Sequence, residues 1–200
     1  MSTKFLLLRH GQIKANKTGR WHGSTDSKLT WLGRGQAKRT GKYLRKHKSI
    51  QAVYASPLQR CHATAKFATK GMELDINTLD GLKEMCLGDW EDMRFSELAE
   101  DHDFINRATG DIHHSAPNGE SLDQVATRVV AAFRQIDEQH ADDETVLVVS
   151  HGVALAVAIS VFLHNSPARW GDYHLNNCSL TEFELSPDPI VYRLNEYAHL

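Results

Sequence analysis

Phe5-Leu6-Leu7-Leu8-Arg9-His10-Gly11 is a continuous apolar run cut off by an Arg-His pair and a glycine. Four apolar residues without alternation suit a strand buried on both faces, as in a parallel sheet. The pattern returns far along the chain, where Val146-Leu147-Val148-Val149-Ser150 runs into His151-Gly152. In open α/β sheets, ligands sit just beyond the carboxyl ends of the strands. Two histidines are therefore expected at one rim, with Gly11 and Gly152 letting the backbone pass close to a ligand.

Outward from these two runs, the chain alternates strand and helix. Residues 11–29 are polar and Gly-punctuated, and read as a loop. Thr30 can cap a helix to about Lys48, with Leu32, Ala37, Tyr43 and Leu44 inward. Ala52–Ala55 is a second strand. Ser56 and Pro57 then open a helix to about Lys70, as cap and first position. Met72–Ile76 reads as a third strand. Residues 80–118 hold no sustained period beyond a short helix at 95–101, and read as a lid or substrate-specificity insertion. Ser121 to His140 is a long amphipathic helix, Thr145–Val149 a strand and Gly152–Leu163 a very apolar helix. Residues 180–185 and 191–195 form a closing pair around Pro187-Asp188-Pro189. The alternation argues for one α/β domain over 1–200 with a largely parallel sheet.

Charge is unevenly spread. Residues 1–70 hold sixteen Lys and Arg but one acid, Asp26, whereas the rest holds seven bases and twenty-four acids. Such a first third suits an anionic ligand, a phosphate ester or a nucleic acid. The basic helix 34–48 lacks the interleaved aromatics of a nucleic-acid surface and reads as a solvated face. Three scattered cysteines, Cys61, Cys86 and Cys178, make no disulfide framework. A reducing, cytoplasmic setting is expected, with no membrane partner, since Phe5–Leu8 is too short for a signal peptide's apolar region.

Chemistry gathers at the expected rim. Arg60 falls in the first turn of the helix after the second strand, where the helix dipole does not favour a cation. An anion at the same edge would explain it. Arg9, His10, Arg60 and His151 then make a site in which two guanidiniums match phosphate oxygens and one imidazole can attack phosphorus. Phosphoryl transfer is mostly positioning plus positive charge. The arginines supply that charge, so the scheme calls for no metal and no other cofactor. Glu84, where the chain re-enters after the third strand, is the candidate proton donor for the leaving oxygen.

These residues resemble the histidine phosphatase superfamily, also called the phosphoglycerate mutase-like family. Leu8-Arg9-His10-Gly11 is similar to its nucleophile motif. Asn16, Gly23, Asp26, Leu29-Thr30, Gly33 and Gln36-Ala37 resemble its loop and first helix. Ser56-Pro57-Leu58-Gln59-Arg60 with Thr64-Ala65 resembles its second motif, and Glu84 with Gly88-Asp89-Trp90-Glu91 its acid segment. Pro117-Asn118-Gly119-Glu120-Ser121, Ser150-His151-Gly152 and Asn177–Ser179 complete the order. The resemblance implies a three-layer sandwich with a mainly parallel sheet, one antiparallel edge strand and helices on both faces. It implies that His10 is phosphorylated, that Arg9, Arg60 and His151 line a phosphate pocket, that Asn16 contacts phosphate or substrate, and that Glu84 is the general acid/base. Gly11, Gly23 and Gly152 fall within its substrate-binding segments.

The departures bear on specificity. Ile13 stands where that family commonly has Thr or Ser, Asp92 replaces a frequent Gly, and Val153-Ala154-Leu155-Ala156 lacks a frequent Arg. Trp21 and His22, in the first loop, are candidates for substrate contact or for packing. Adjacent His113 and His114 point apart and make a poor metal pair. Only thirty-four residues separate Glu84 from Gly119, a short cover that resembles the phosphatase branch. The expectation is a metal-independent phosphatase for a small phosphorylated metabolite, as monomer or homodimer. A phosphoglycerate mutase, and a non-catalytic phospholigand-binding or protein-interaction module of the same fold, are the alternatives.

Overall fold

The computed structural model describes residues 3–140, 143–185 and 188–200. Strand β1 (Lys4–Arg9) leads through a short helix α1 (Lys14–Thr18) to helix α2 (Trp31–His47). Strand β2 (Ala52–Ala55), helix α3 (Gln59–Ala68) and strand β3 (Ile76–Thr78) follow. Two 3-10 turns and helices α4 (Phe95–Glu100) and α5 (Phe104–Gly110) precede the long helix α6 (Leu122–Gln139). Strand β4 (Thr145–Ser150), helix α7 (Gly152–His164), a further 3-10 segment, and strands β5 (Leu180–Glu184) and β6 (Ile190–Glu196) complete the order.

The strands form one six-stranded sheet in the order β3-β2-β4-β1-β5-β6. Pairings among β1 to β4 are parallel, and the β1–β5 and β5–β6 pairings are antiparallel. The expected antiparallel edge is thus a pair of strands, with β6 outermost. Alternate residues of each central strand feed opposite layers. Phe5, Leu7, Val146 and Val148 pack with α6 and α7. Leu6, Leu8, Val53, Leu147 and Val149 pack with Ala37 and Leu44 of α2 and Cys61 and Ala65 of α3. Burial on both faces explains why these strands read as unbroken apolar runs.

Several boundaries differ from the sequence reading. Helix α3 starts at Gln59, not at Pro57, with Leu58 as its cap. The third strand lies at Ile76–Thr78 rather than 72–76, because only those residues stay in register with β2, while Met72 and Leu74 pack as side chains. The 11–29 loop contains α1, and the 80–118 segment contains α5 as well as the expected helix near 95. Leu32 is 50% exposed, since Gly33, Ala37, Thr40, Gly41 and Leu44 form the buried stripe of α2. Thr30 caps that helix as expected, accepting from Gly33 N at 3.0 Å. Of the expected turn at 187–189, Pro187 lies outside the described residues. Among the described residues, no helix is long and apolar enough to cross a membrane.

Candidate active site

The parallel register decides where the functional side chains fall. Arg9 pairs with Ser150 and Ala55 with Val149, so β1, β2 and β4 end level. His10 N donates to Ser150 O at 3.0 Å and Ser56 N to Val149 O at 3.0 Å. One rim therefore carries His10, Ser56 and His151, with Arg60 one turn beyond. The rings of His10 and His151 lie 5.3 Å apart, edge to face.

Both imidazoles are buried, His10 at 3% exposure and His151 at 0%. Burial pushes the pKa of each well below its ordinary value, and the charges of Arg60 and Arg9 push the same way. Each ring is therefore neutral near pH 7, and its partners fix its tautomer. His10 Nδ1 faces Gly11 O at 2.8 Å. A carbonyl only accepts, so Nδ1 carries the proton and Nε2 keeps a free lone pair. Arg60 Nε donates to His151 Nδ1 at 3.1 Å, so His151 Nε2 holds the proton and donates to Ser56 Oγ at 2.8 Å. Ser56, expected as a helix cap, meets the second histidine and keeps only a long contact from Leu58 N, at 3.4 Å.

Arg60 is wholly buried. Its fork donates to Thr25 O at 2.7 Å and Gly23 O at 2.6 Å. The sequence placed Arg60 on phosphate; the structure turns its terminal nitrogens onto the first loop and its Nε onto His151. Arg9 donates to Leu175 O and keeps a buried Nε with no partner among the described residues. Its guanidinium also lies where a Cβ on Gly152 would come within 3.3 Å. That close approach accounts for a glycine directly after His151. At Gly11 a Cβ would meet Gly33 O at 2.6 Å, and at Gly23 it would meet Met85 O at 2.1 Å.

Glu84 is seated on the N-terminus of α7. Its carboxylate accepts from Val153 N at 3.1 Å, Ala154 N at 3.0 Å and Met85 N at 3.0 Å. Arg128, from α6, holds the backbone beneath it by donating to Gly81 O, Lys83 O and Glu84 O, while pairing with Glu120 at 2.7 Å. Glu91 does the same for the first loop. It accepts from Gly23 N, Ser24 N, Thr25 N and Leu87 N, and from Thr25 Oγ1 at 2.6 Å. These bonds hold its pKa below the carboxylate norm against the opposing effect of burial. The sequence reading gave Arg128 no role and named Glu91 only within a motif, because neither sits beside a histidine in the chain.

A cavity of about 500 Å³ opens from this rim. Arg9, His10, Asn16, Trp21, His22, Gly23, Glu84 and Gly152 line it, whereas Arg60 and His151 stand behind its wall. Asn16 Oδ1 accepts from Ile13 N at 3.1 Å and from Asn177 Nδ2 at 3.2 Å, and Asn177 also reaches His10 O. Trp21 both lines the cavity and packs edge-on against Phe104 and Trp170. His22 pairs with Asp92 at 2.8 Å. His113 lies apart from this site, near Asp123 at 3.7 Å.

Neutral imidazoles, guanidiniums and a carboxylate thus gather where parallel strands end. The model of the histidine phosphatase superfamily (branch 1) matches residues 5–196. The chain belongs to that superfamily. A bifunctional protein of Mycobacterium tuberculosis is 34% identical over 187 residues, covering 93% of this chain and 51% of the relative. The chain thus spans about half that relative's length. The adenosylcobalamin/α-ribazole phosphatase of Salmonella typhimurium is 34% identical over 159 residues, 78% of each chain. A mutant phosphoserine phosphatase from Entamoeba histolytica, solved with phosphoserine, superposes with a TM-score of 0.88 at 26% identity over 99% of both chains.

Proposed function

We propose that the chain is a phosphoric monoester hydrolase that acts on a small phosphorylated metabolite through phospho-His10, without a metal ion. The observation that carries this reading is the state of His10. It is neutral, its Nδ1 is committed to Gly11 O, and its Nε2 lone pair is free beside the guanidinium of Arg9. Nε2 attacks phosphorus, the P–O ester bond breaks, and Glu84 gives its proton to the leaving oxygen. Water then attacks phosphorus, the P–N bond breaks, inorganic phosphate departs, and the proton of water returns to Glu84. Arg9 and Asn16 face the phosphate from the cavity wall. Arg60 and His151 act from behind it, Arg60 by its charge and by fixing the His151 tautomer. Segment 80–118 forms the outer cover. Relatives named as phosphatases for α-ribazole and phosphoserine esters support the reaction class.

The test is a phosphomonoester panel assayed in EDTA with wild type and His10→Ala. Turnover in wild type, with acid-labile phosphate trapped on the protein, and loss of at least about a thousandfold in His10→Ala are expected. Undiminished hydrolysis by His10→Ala would defeat the mechanism.

A further inference from the structure

We infer that Asp92 sets the leaving group: the site takes phosphomonoesters of uncharged, apolar alcohols and discriminates against those carrying a carboxylate. This rests on the hydrolase reading above. The observation is how the basic side chains of the cavity are partnered. Arg9 stands at the inner end, and Arg20 and His22 line the outer part. A carboxylate on the substrate would seek Arg20 and His22. Asp92 already holds both, with Oδ1 at 2.8 Å from His22 Nε2 and Oδ2 at 3.7 Å from Arg20 Nη1. Its backbone carbonyl accepts from Arg20 as well.

The carboxylate of Asp92 is held there by its backbone. Asp92 adopts φ +63°, in the left-handed region that Asp and Asn tolerate better than most residues. Asp92 N donates to Trp21 O at 2.9 Å, and Trp21 N donates to Met93 O at 2.9 Å. This short ladder fixes Asp92 beside the two residues that flank Trp21. Among the described residues, His174 is then the one basic group of the outer cavity without an acidic partner.

Much of the outer wall is apolar or aromatic. Trp21, Phe95, Ile105, Trp170 and Tyr173 line it, with Trp21 and Phe95 rings 5.7 Å apart. Phe95 remains 47% exposed, so covering it with a ligand removes apolar surface from water. A flat or branched apolar alcohol gains from that wall. A carboxylate placed there finds Arg20 and His22 already paired with Asp92, and loses hydration with only His174 left to meet it.

The experiment compares kcat/KM for benzyl phosphate, O-phosphoserine and 3-phosphoglycerate in wild type, Asp92→Asn and Asp92→Gly. Both variants suit the positive φ, and both free Arg20 and His22 from the charge. Wild type should prefer benzyl phosphate to 3-phosphoglycerate by at least about tenfold. Each variant should narrow that ratio by roughly three- to tenfold, chiefly through a lower KM for the carboxylated esters. A wild type that prefers the carboxylated esters, or a ratio unmoved in both variants, overturns the assignment of Asp92 while leaving the hydrolase reading intact. Failure to hydrolyse any of the three esters overturns both.

Discussion

Arg60 and His10 do not touch through a hydrogen bond, yet one sets the protonation of the other. Burial of His10 disfavours its charged form, and the Arg60 charge adds to that after burial. His10 is thereby kept unprotonated below the pH at which an exposed histidine would be half charged. A neutral side chain in place of Arg60 lets the pKa of His10 rise towards its ordinary value. In Arg60→Gln the acid limb of kcat/KM is expected to move to higher pH, as a pH–rate profile measures. A residue that served only to pack would lower the rate and leave the limb where it was.

At the level of elements, α6 carries the support of Glu84, since Arg128 projects from it onto the acid's backbone. The helix start is a reciprocal cap. Ser121 Oγ accepts from Gln124 N at 3.3 Å and Gln124 Oε1 accepts from Ser121 N at 2.9 Å. Ser121→Ala is expected to cost ~1 kcal/mol, and to lower Tm by about 2–4 °C in a chain of this size. Calorimetry checks it, and KM should not change. This helix was legible in the sequence because its apolar period runs for eighteen residues and its cap is local. Strands β1 and β4 were legible for a related reason, since double-sided burial leaves an unbroken apolar run. The start of α3 was not, because Ser56 has a cap's side chain but is drawn off by a histidine 95 residues away. Helix α5, at seven residues, is too short to establish a period. Likewise the Arg9-His10-Gly11 segment and Arg60 could be found from adjacency to strand ends. The loop clamp of Glu91 depends on a tertiary approach that no spacing encodes.

Across the whole molecule, the buried neutral histidines link stability to pH. In the unfolded chain His10 and His151 titrate near 6.5, and in the fold their pKa values lie well below that. Below pH 6.5 the unfolded state binds protons that the folded state refuses, so stability falls as the pH falls. Above pH 6.5 neither state binds them and the full contribution remains. His199, also lowered by burial, adds to the same trend. Urea unfolding should give a ΔG that is flat from about pH 8 to 7 and drops between about pH 6.5 and 5. The slope in that window should lessen in His151→Gln. A stability that rose on acidification through this window would contradict the neutral pair.

The central position of β1 also governs the order of assembly. The strand that leads into His10 leaves the ribosome before its two hydrogen-bonded neighbours, β4 and β5, at Thr145–Ser150 and Leu180–Glu184. Until those segments emerge, Phe5–Leu8 has no ladder on either side. During synthesis it is an unprotected apolar tetrapeptide. Chaperone capture of this nascent segment, and a long delay between translation of β1 and its pairing, follow from strand order.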